Sequence, residues 1–142
     1  MPKPILPPEL AAELAPATLL VRGGSERSGY EETCEALFLT SGITKVYLPY
    51  WGAYSASKAA LEALVRTYAA EIQRSKAKVN LFNPGPLRTR MRAEAAPGED
   101  PATLKPPEAA VPDIVRMLSP DYAGNGVLFD LPRGKAEPLL PR

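Results

Sequence analysis

An α/β fold, a parallel sheet with crossover helices, is what this sequence of 142 residues predicts. Three observations carry that expectation. Apolar runs of strand length stand at residues 35–40 (EALFLT), 78–82 (KVNLF) and 126–131 (GVLFDL). A long helical repeat separates the first two, and a second helical stretch separates the last two. The first two runs stop at turn signals, Ser41-Gly42 and Asn83-Pro84-Gly85-Pro86. A chain this long suits one domain and can bury about two-thirds of its unfolded surface.

Taken in order, Pro2, Pro4, Pro7, Pro8 and Pro16 make residues 1–16 an extended, poorly ordered arm with room for one helical turn at 9–14. Residues 17–22 (ATLLVR) are short, β-capable and bounded by Pro16 and Gly23-Gly24. After the strand at 35–40 comes a loop, 43–52, dense in Tyr47, Tyr50 and Trp51. From 53 to about 75 runs the strongest helix signal: Leu61, Leu64, Val65, Tyr68 and Ile72 recur on one helical face. The strand at 78–82 follows, and residues 88–107 are a polar excursion. Residues 108–118 form a helix with Pro112 near its first turn. The last strand, 126–131, is of buried type, and residues 132–142 read as a Pro-rich tail.

Composition removes several functions. Seventeen basic against sixteen acidic side chains leave a net charge of +1, with no global field for nucleic acid or an anionic membrane. Without histidine there is no Ser-His-Asp triad, Cys-His pair or histidine metal site. Cys34 is the single cysteine, so no internal disulfide or Cys-x-x-Cys zinc site forms; packing is its expected use. The early prolines break any secretory h-region, and no apolar run approaches the ~20 residues of a membrane span. The expectation is a cytoplasmic protein. Arg88, Arg90 and Arg92, like Arg74, Lys76 and Lys78, alternate as a solvated charged face.

Three elements can carry chemistry. Tyr54 and Lys58, four apart at the start of the long helix, share one face. An ammonium beside a phenol favours the phenolate and makes it a usable proton donor or acceptor. Ser41 stands where a strand ends, thirteen residues before Tyr54, where ligands of open α/β sheets bind. The exit Asn83-Pro84-Gly85-Pro86-Leu87-Arg88-Thr89 adds a glycine that admits close backbone approach and a hydroxyl at Thr89. Each has an ordinary alternative: a surface pair, a turn serine, a rigid strand exit. Tyr47, Tyr50 and Trp51 read equally as substrate wall or as packing.

Jointly these residues resemble the short-chain dehydrogenase/reductase family, over about residues 36 to 133. The resemblance rests on Ser41, on the run Trp51-Gly52-Ala53-Tyr54-Ser55-Ala56-Ser57-Lys58-Ala59-Ala60-Leu61, on the Asn83-Pro84-Gly85 exit with Thr89, and on the closing strand. It implies a partial Rossmann-like sheet, a truncated doubly wound fold, with 17–133 as the catalytic segment and 134–142 as a tail. It further implies an NAD(P)-dependent oxidoreductase acting on a small carbonyl/alcohol pair. Ser41 would orient the carbonyl, Tyr54 would transfer the proton, and Lys58 would hold the nicotinamide ribose and lower the tyrosine's pKa. Pro84, Gly85 and Thr89 would pack against the nicotinamide end of NAD or NADP, and the 53–75 helix would pair copies into a homo-oligomer. The family's Thr-Gly-x-x-x-Gly-x-Gly turn has no counterpart, because Gly23-Gly24-Ser25-Glu26-Arg27-Ser28-Gly29 is spaced differently. Its Asn-Asn-Ala-Gly strand is missing as well. The expectation is therefore weak cofactor binding by the isolated chain. The alternative is a non-catalytic remnant serving as an oligomerisation module.

Overall fold

The structure, a computed structural model, describes residues 19–24 and 33–141. Its strands are β1 (Leu19–Gly24), β2 (Thr33–Leu39), β3 (Lys78–Asn83), β4 (Val127–Asp130) and β5 (Lys135–Pro138). Its α-helices are α1 (Gly52–Glu71), α2 (Arg90–Ala95) and α3 (Val111–Met117). The strands form one sheet in the order β1-β2-β3-β4-β5. β2, β3 and β4 run parallel, while β1 and β5 border them antiparallel. The α/β, Rossmann-like expectation holds, with a mixed sheet in place of an all-parallel one.

Strand periodicity divides the core into two layers. Ala36, Phe38, Val79, Leu81 and Leu128 face Leu61, Val65 and Ala69 of α1. Leu37, Leu39, Phe82 and Phe129 face the other way, against Ala110 and Met117 at α3. The two crossovers step in the same direction across the sheet, yet their helices lie on opposite faces. They must therefore have opposite hands. Right-handed crossovers are the rule, so one of this pair breaks it. The β3–β4 connection is free to do so because it is long and irregular, built of short helices and 3-10 turns rather than one helix.

Three elements depart from expectation. The long helix ends at Glu71, not near 75, because the Ser75 hydroxyl and amide both turn back on the Ile72 carbonyl, at 2.9 and 2.8 Å. The expected helix at 108–118 divides into a 3-10 turn, Pro107–Ala110, and α3, which carries Pro112 in its first turn. The tail expected at 134–142 instead carries β5. Gly134 takes a left-handed φ of 61° at the turn, and the Asp130 carboxylate accepts from the Arg133 amide. Pro138 is tolerated because β5 is an edge strand. Beyond it, Leu139 and Leu140 pack on the α1 side of the core. The segment expected at 17–22 becomes β1, which pairs along β2 from Leu19↔Phe38 to Gly24↔Thr33 and covers that edge. The expected arm at 1–16 lies outside the described residues. Among the described residues, no helix is long and apolar enough to cross a membrane.

Phe82 is fully buried and stacks on Phe129, with centroids 5.8 Å apart. Phe82→Ala is expected to cost about 3–5 kcal/mol in a urea melt. Val115, 62% exposed on α3, should lose no more than about 0.5 kcal/mol on conversion to alanine.

Candidate active site

Parallel pairing continues one residue past β2, where the Thr40 amide donates to the Phe82 carbonyl at 2.9 Å. Ser41 then leaves the sheet in extended conformation and caps a 3-10 turn, Gly42–Lys45, its Oγ accepting from the Ile43 amide at 3.3 Å. The turn is anchored by the buried Ile43 side chain. Helix α1 runs back from this end of the sheet, and its first turns grip the turn from outside. Ser55 Oγ donates to the Ile43 carbonyl at 3.3 Å. Lys58 Nζ donates to the Leu39 carbonyl at 3.0 Å. Ser41 thus lies between two carbonyls that α1 holds.

Tyr54 is half-buried one turn before Lys58. The Lys58 ammonium stands 5.8 Å from the centre of its ring, and Trp51 packs edge-on against it, also at 5.8 Å. Burial pushes the Lys58 ammonium below its ordinary value. Ser41, Tyr54 and Lys58 therefore share one neighbourhood at the carboxyl end of β2. Pro84, Gly85 and Thr89 stand on the exit from β3, beside the first three rather than among them. The Asn83 carboxamide oxygen accepts from the Gly85 amide at 3.0 Å and turns the chain. Gly85 has φ 67°, and a Cβ there would fall 2.3 Å from Pro132 Cγ on the neighbouring exit. The bare Cα, read from sequence as room for a ligand, is used on that side by Pro132. Thr89 Oγ1 accepts from the Arg92 amide at 3.1 Å and caps α2.

Other expectations resolve locally. Arg90 pairs with Glu94 at 2.8 Å, and Arg92 holds Glu99 through two bonds of 2.6 and 3.0 Å. The Arg92 guanidinium keeps the Glu99 carboxyl below its usual range. The Arg90 pair lies toward solvent, as a charged face should, but Arg92 and Glu99 are half-buried, and Lys78 departs from that face, its Nζ donating to the Pro120 and Tyr122 carbonyls. Of the loop aromatics, Tyr47 and Tyr50 stand in solvent, Tyr50 with a left-handed φ of 69°. Trp51 alone packs on the site. Sequence reasoning passed over Thr40, Glu62 and Asp130, all buried. Their one sequence signal is a polar residue interrupting an otherwise apolar face. Gly23 and Gly24 pair with Cys34 and Thr33 in the sheet, so they are strand rather than a phosphate cradle.

With this geometry in place, residues 22–129 match the family model described as enoyl-(acyl carrier protein) reductase. The chain belongs to the short-chain dehydrogenase/reductase family. Among relatives of this family it is 38% identical over 100 residues to the uncharacterized oxidoreductase YciK of Escherichia coli (strain K12), covering 70% of this chain and 39% of the relative. It is 34% identical over 84 residues to a short-chain type dehydrogenase/reductase of Picea abies, covering 56% of this chain and 28% of that one. A short chain dehydrogenase of Shigella flexneri complexed with NADP superposes with a TM-score of 0.65 at 36% identity, covering 70% of this chain and 42% of that chain. A Salmonella enterica short chain dehydrogenase gives 0.63 at 38% identity, covering 67% and 40%. The chain thus spans about two-fifths of the length of YciK and of these two solved structures.

Two outcomes follow from the site geometry. The unfolded chain holds the Lys58 proton to higher pH than the folded protein, so Lys58 adds stability as pH rises from its lowered folded value toward the ordinary 10.5. The Tm difference between wild type and Lys58→Met should therefore shift in favour of wild type as pH rises toward 10.5. Gly85→Ala must strain a left-handed residue and displace Pro132, and should cost about 1–3 kcal/mol by denaturant titration.

Proposed function

We propose that this chain carries the reacting groups of an NAD(P)-dependent oxidoreductase that interconverts a small carbonyl compound and its alcohol. The observation that supports the reading best is the grip of α1 on both flanks of Ser41, with Tyr54 and Lys58 on the same helix turns. Ser41 Oγ accepts from a backbone amide, which leaves its own proton free to donate to a substrate carbonyl oxygen. The Tyr54 hydroxyl gives that oxygen its proton. The Lys58 ammonium, close to the ring, stabilises negative charge left on the phenol oxygen.

The donor set fits the nicotinamide end of a dinucleotide. Lys58 offers an ammonium, Pro84 and Gly85 offer backbone at a strand end, and Thr89 retains a hydroxyl proton while accepting from Arg92. When bound, the nicotinamide supplies or receives the hydride. For the pyrophosphate, the described residues hold no glycine-rich turn, since Gly23 and Gly24 are spent in strand pairing. Isolated-chain affinity should be correspondingly weak, because the charge-assisted phosphate contacts are missing. Support for the cofactor class comes from relatives: solved neighbours are complexed with NADP or NADPH, and an Arabidopsis thaliana relative is an NADPH-dependent aldehyde reductase.

A second copy of the chain is the proposed partner. Ala53, Ala56, Ala60, Ala63 and Thr67 stand exposed along the outer face of α1, and small side chains let helix backbones approach closely. That face also supports the reading of a non-catalytic assembly module. The two readings separate in one set of measurements. Consumption of NADPH with small aldehydes should be measurable for the full chain, and Tyr54→Phe should lower it by about 10²–10⁴-fold with an unchanged melt. Light scattering should give an assembly that Ala60→Glu dissociates. Assembly without turnover in wild type would favour the module and defeat the catalytic reading.

A further inference from the structure

Ser55, Lys58 and Glu62 follow one another along one face of α1 at spacings of three and four. The first two reach backbone carbonyls on either side of Ser41. The third reaches side chains. Glu62 is 7% exposed, and its Oε1 accepts from Thr40 Oγ1 at 2.7 Å and from Thr44 Oγ1 at 3.1 Å. We propose that Glu62 is a positioning residue for Ser41: one carboxylate oxygen clamps the chain immediately before that serine and three residues after it. The proposal rests on the reading of Ser41 as the group that orients a substrate carbonyl.

A buried carboxylate is retained only where hydrogen bonds replace its water. Two hydroxyls supply them here, and Arg66 Nη2 lies 3.9 Å from the second carboxylate oxygen. Thr44 Oγ1 also lies 3.3 Å from the Ser41 carbonyl, but a hydroxyl has one proton to give. The nearer, charged acceptor takes it. Thr40 is then held twice, by its amide to the Phe82 carbonyl of β3 and by its hydroxyl to α1. With both neighbours fixed, Ser41 can leave the sheet at one angle. A misplacement of about 1 Å in a reacting group costs as much as 10²-fold in rate, so a clamp at this point acts on turnover without touching substrate.

The test uses the full chain with Glu62→Met, Glu62→Gln and the double variant Thr40→Val/Thr44→Val. It reads amide hydrogen exchange at residues 41–44 against that of β3, together with NADPH-dependent turnover of a small aldehyde. Glu62→Met and the double variant should each speed exchange at 41–44 by about tenfold relative to β3. Both should lower kcat by about tenfold or more, with KM for NADPH unchanged. Glu62→Gln keeps an oxygen at the same place and should stay within about threefold of wild type in both readouts. If Glu62→Met does not fold, the double variant removes the same two bonds from the other side and decides alone. Exchange at 41–44 that tracks β3 in these variants would overturn the proposal, as would Glu62→Gln behaving like Glu62→Met. Should wild type turn over no carbonyl compound, the catalytic reading fails, while the exchange data still decide whether Glu62 clamps the serine.

Discussion

Burial of β3 on both faces is the constraint from which the rest of this fold follows. Among the described strands, β3 alone has parallel neighbours on both edges, and its residues Val79 to Asn83 are all buried. Parallel pairing forbids hairpins, so each neighbour must be reached by a crossover, and covering both faces sends the two crossovers to opposite sides. That places α1 over Val79 and Leu81, and α3 over Phe82. It also brings the exits of β2, β3 and β4 to one end of the sheet. A row of buried polar residues, Thr40, Asn83 and Asp130, marks that end, where sheet pairing runs out and backbone groups need new partners.

Helix α1 answers both needs with one face. Toward its carboxyl end that face is apolar, with Val65 and Ala69 sealed against the sheet. Toward its amino end it is polar, with Ser55, Lys58 and Glu62 directed at the backbone and hydroxyls around Ser41. Core and candidate site are thus not separate structures. The packing that stabilises the domain sets the depth and rotation of the helix, and thereby the place of Tyr54 and Lys58 relative to the strand end. Rigid support of this kind is what a site built on a helix and a strand end has over one built on loops alone.

The edges of the sheet are handled differently from its centre. β1 closes the outer edge of β2 in antiparallel pairing, and β5 closes the outer edge of β4 through a tight turn at Gly134. Both strands protect apolar neighbours from pairing with other chains. The cost falls on function. Gly23 and Gly24 are committed to strand pairing, so the residues proposed for a nicotinamide stand without a glycine-rich cradle for the rest of a dinucleotide among the described residues.

By itself, the sequence determined the fold class, the central strands and the long helix, because these depend on local pattern: an apolar run of strand length in β2, a helical repeat from Leu61 to Ile72, turn residues at Asn83-Pro84-Gly85. It also determined the spacing of Ser41, Tyr54 and Lys58, since helical geometry and a strand end are both readable over a few residues. Tertiary structure decided what lies beyond that range. The hairpin that makes β5 from a Pro-rich segment depends on the exposed edge of β4, which no local pattern announces. Gly85 faces Pro132, forty-seven positions away, and Glu62 meets Thr40 across twenty-two. Such contacts are fixed by how a helix lies on a sheet. A buried acid on an apolar helix face must have a partner, and only the packing of helix on sheet selects which one.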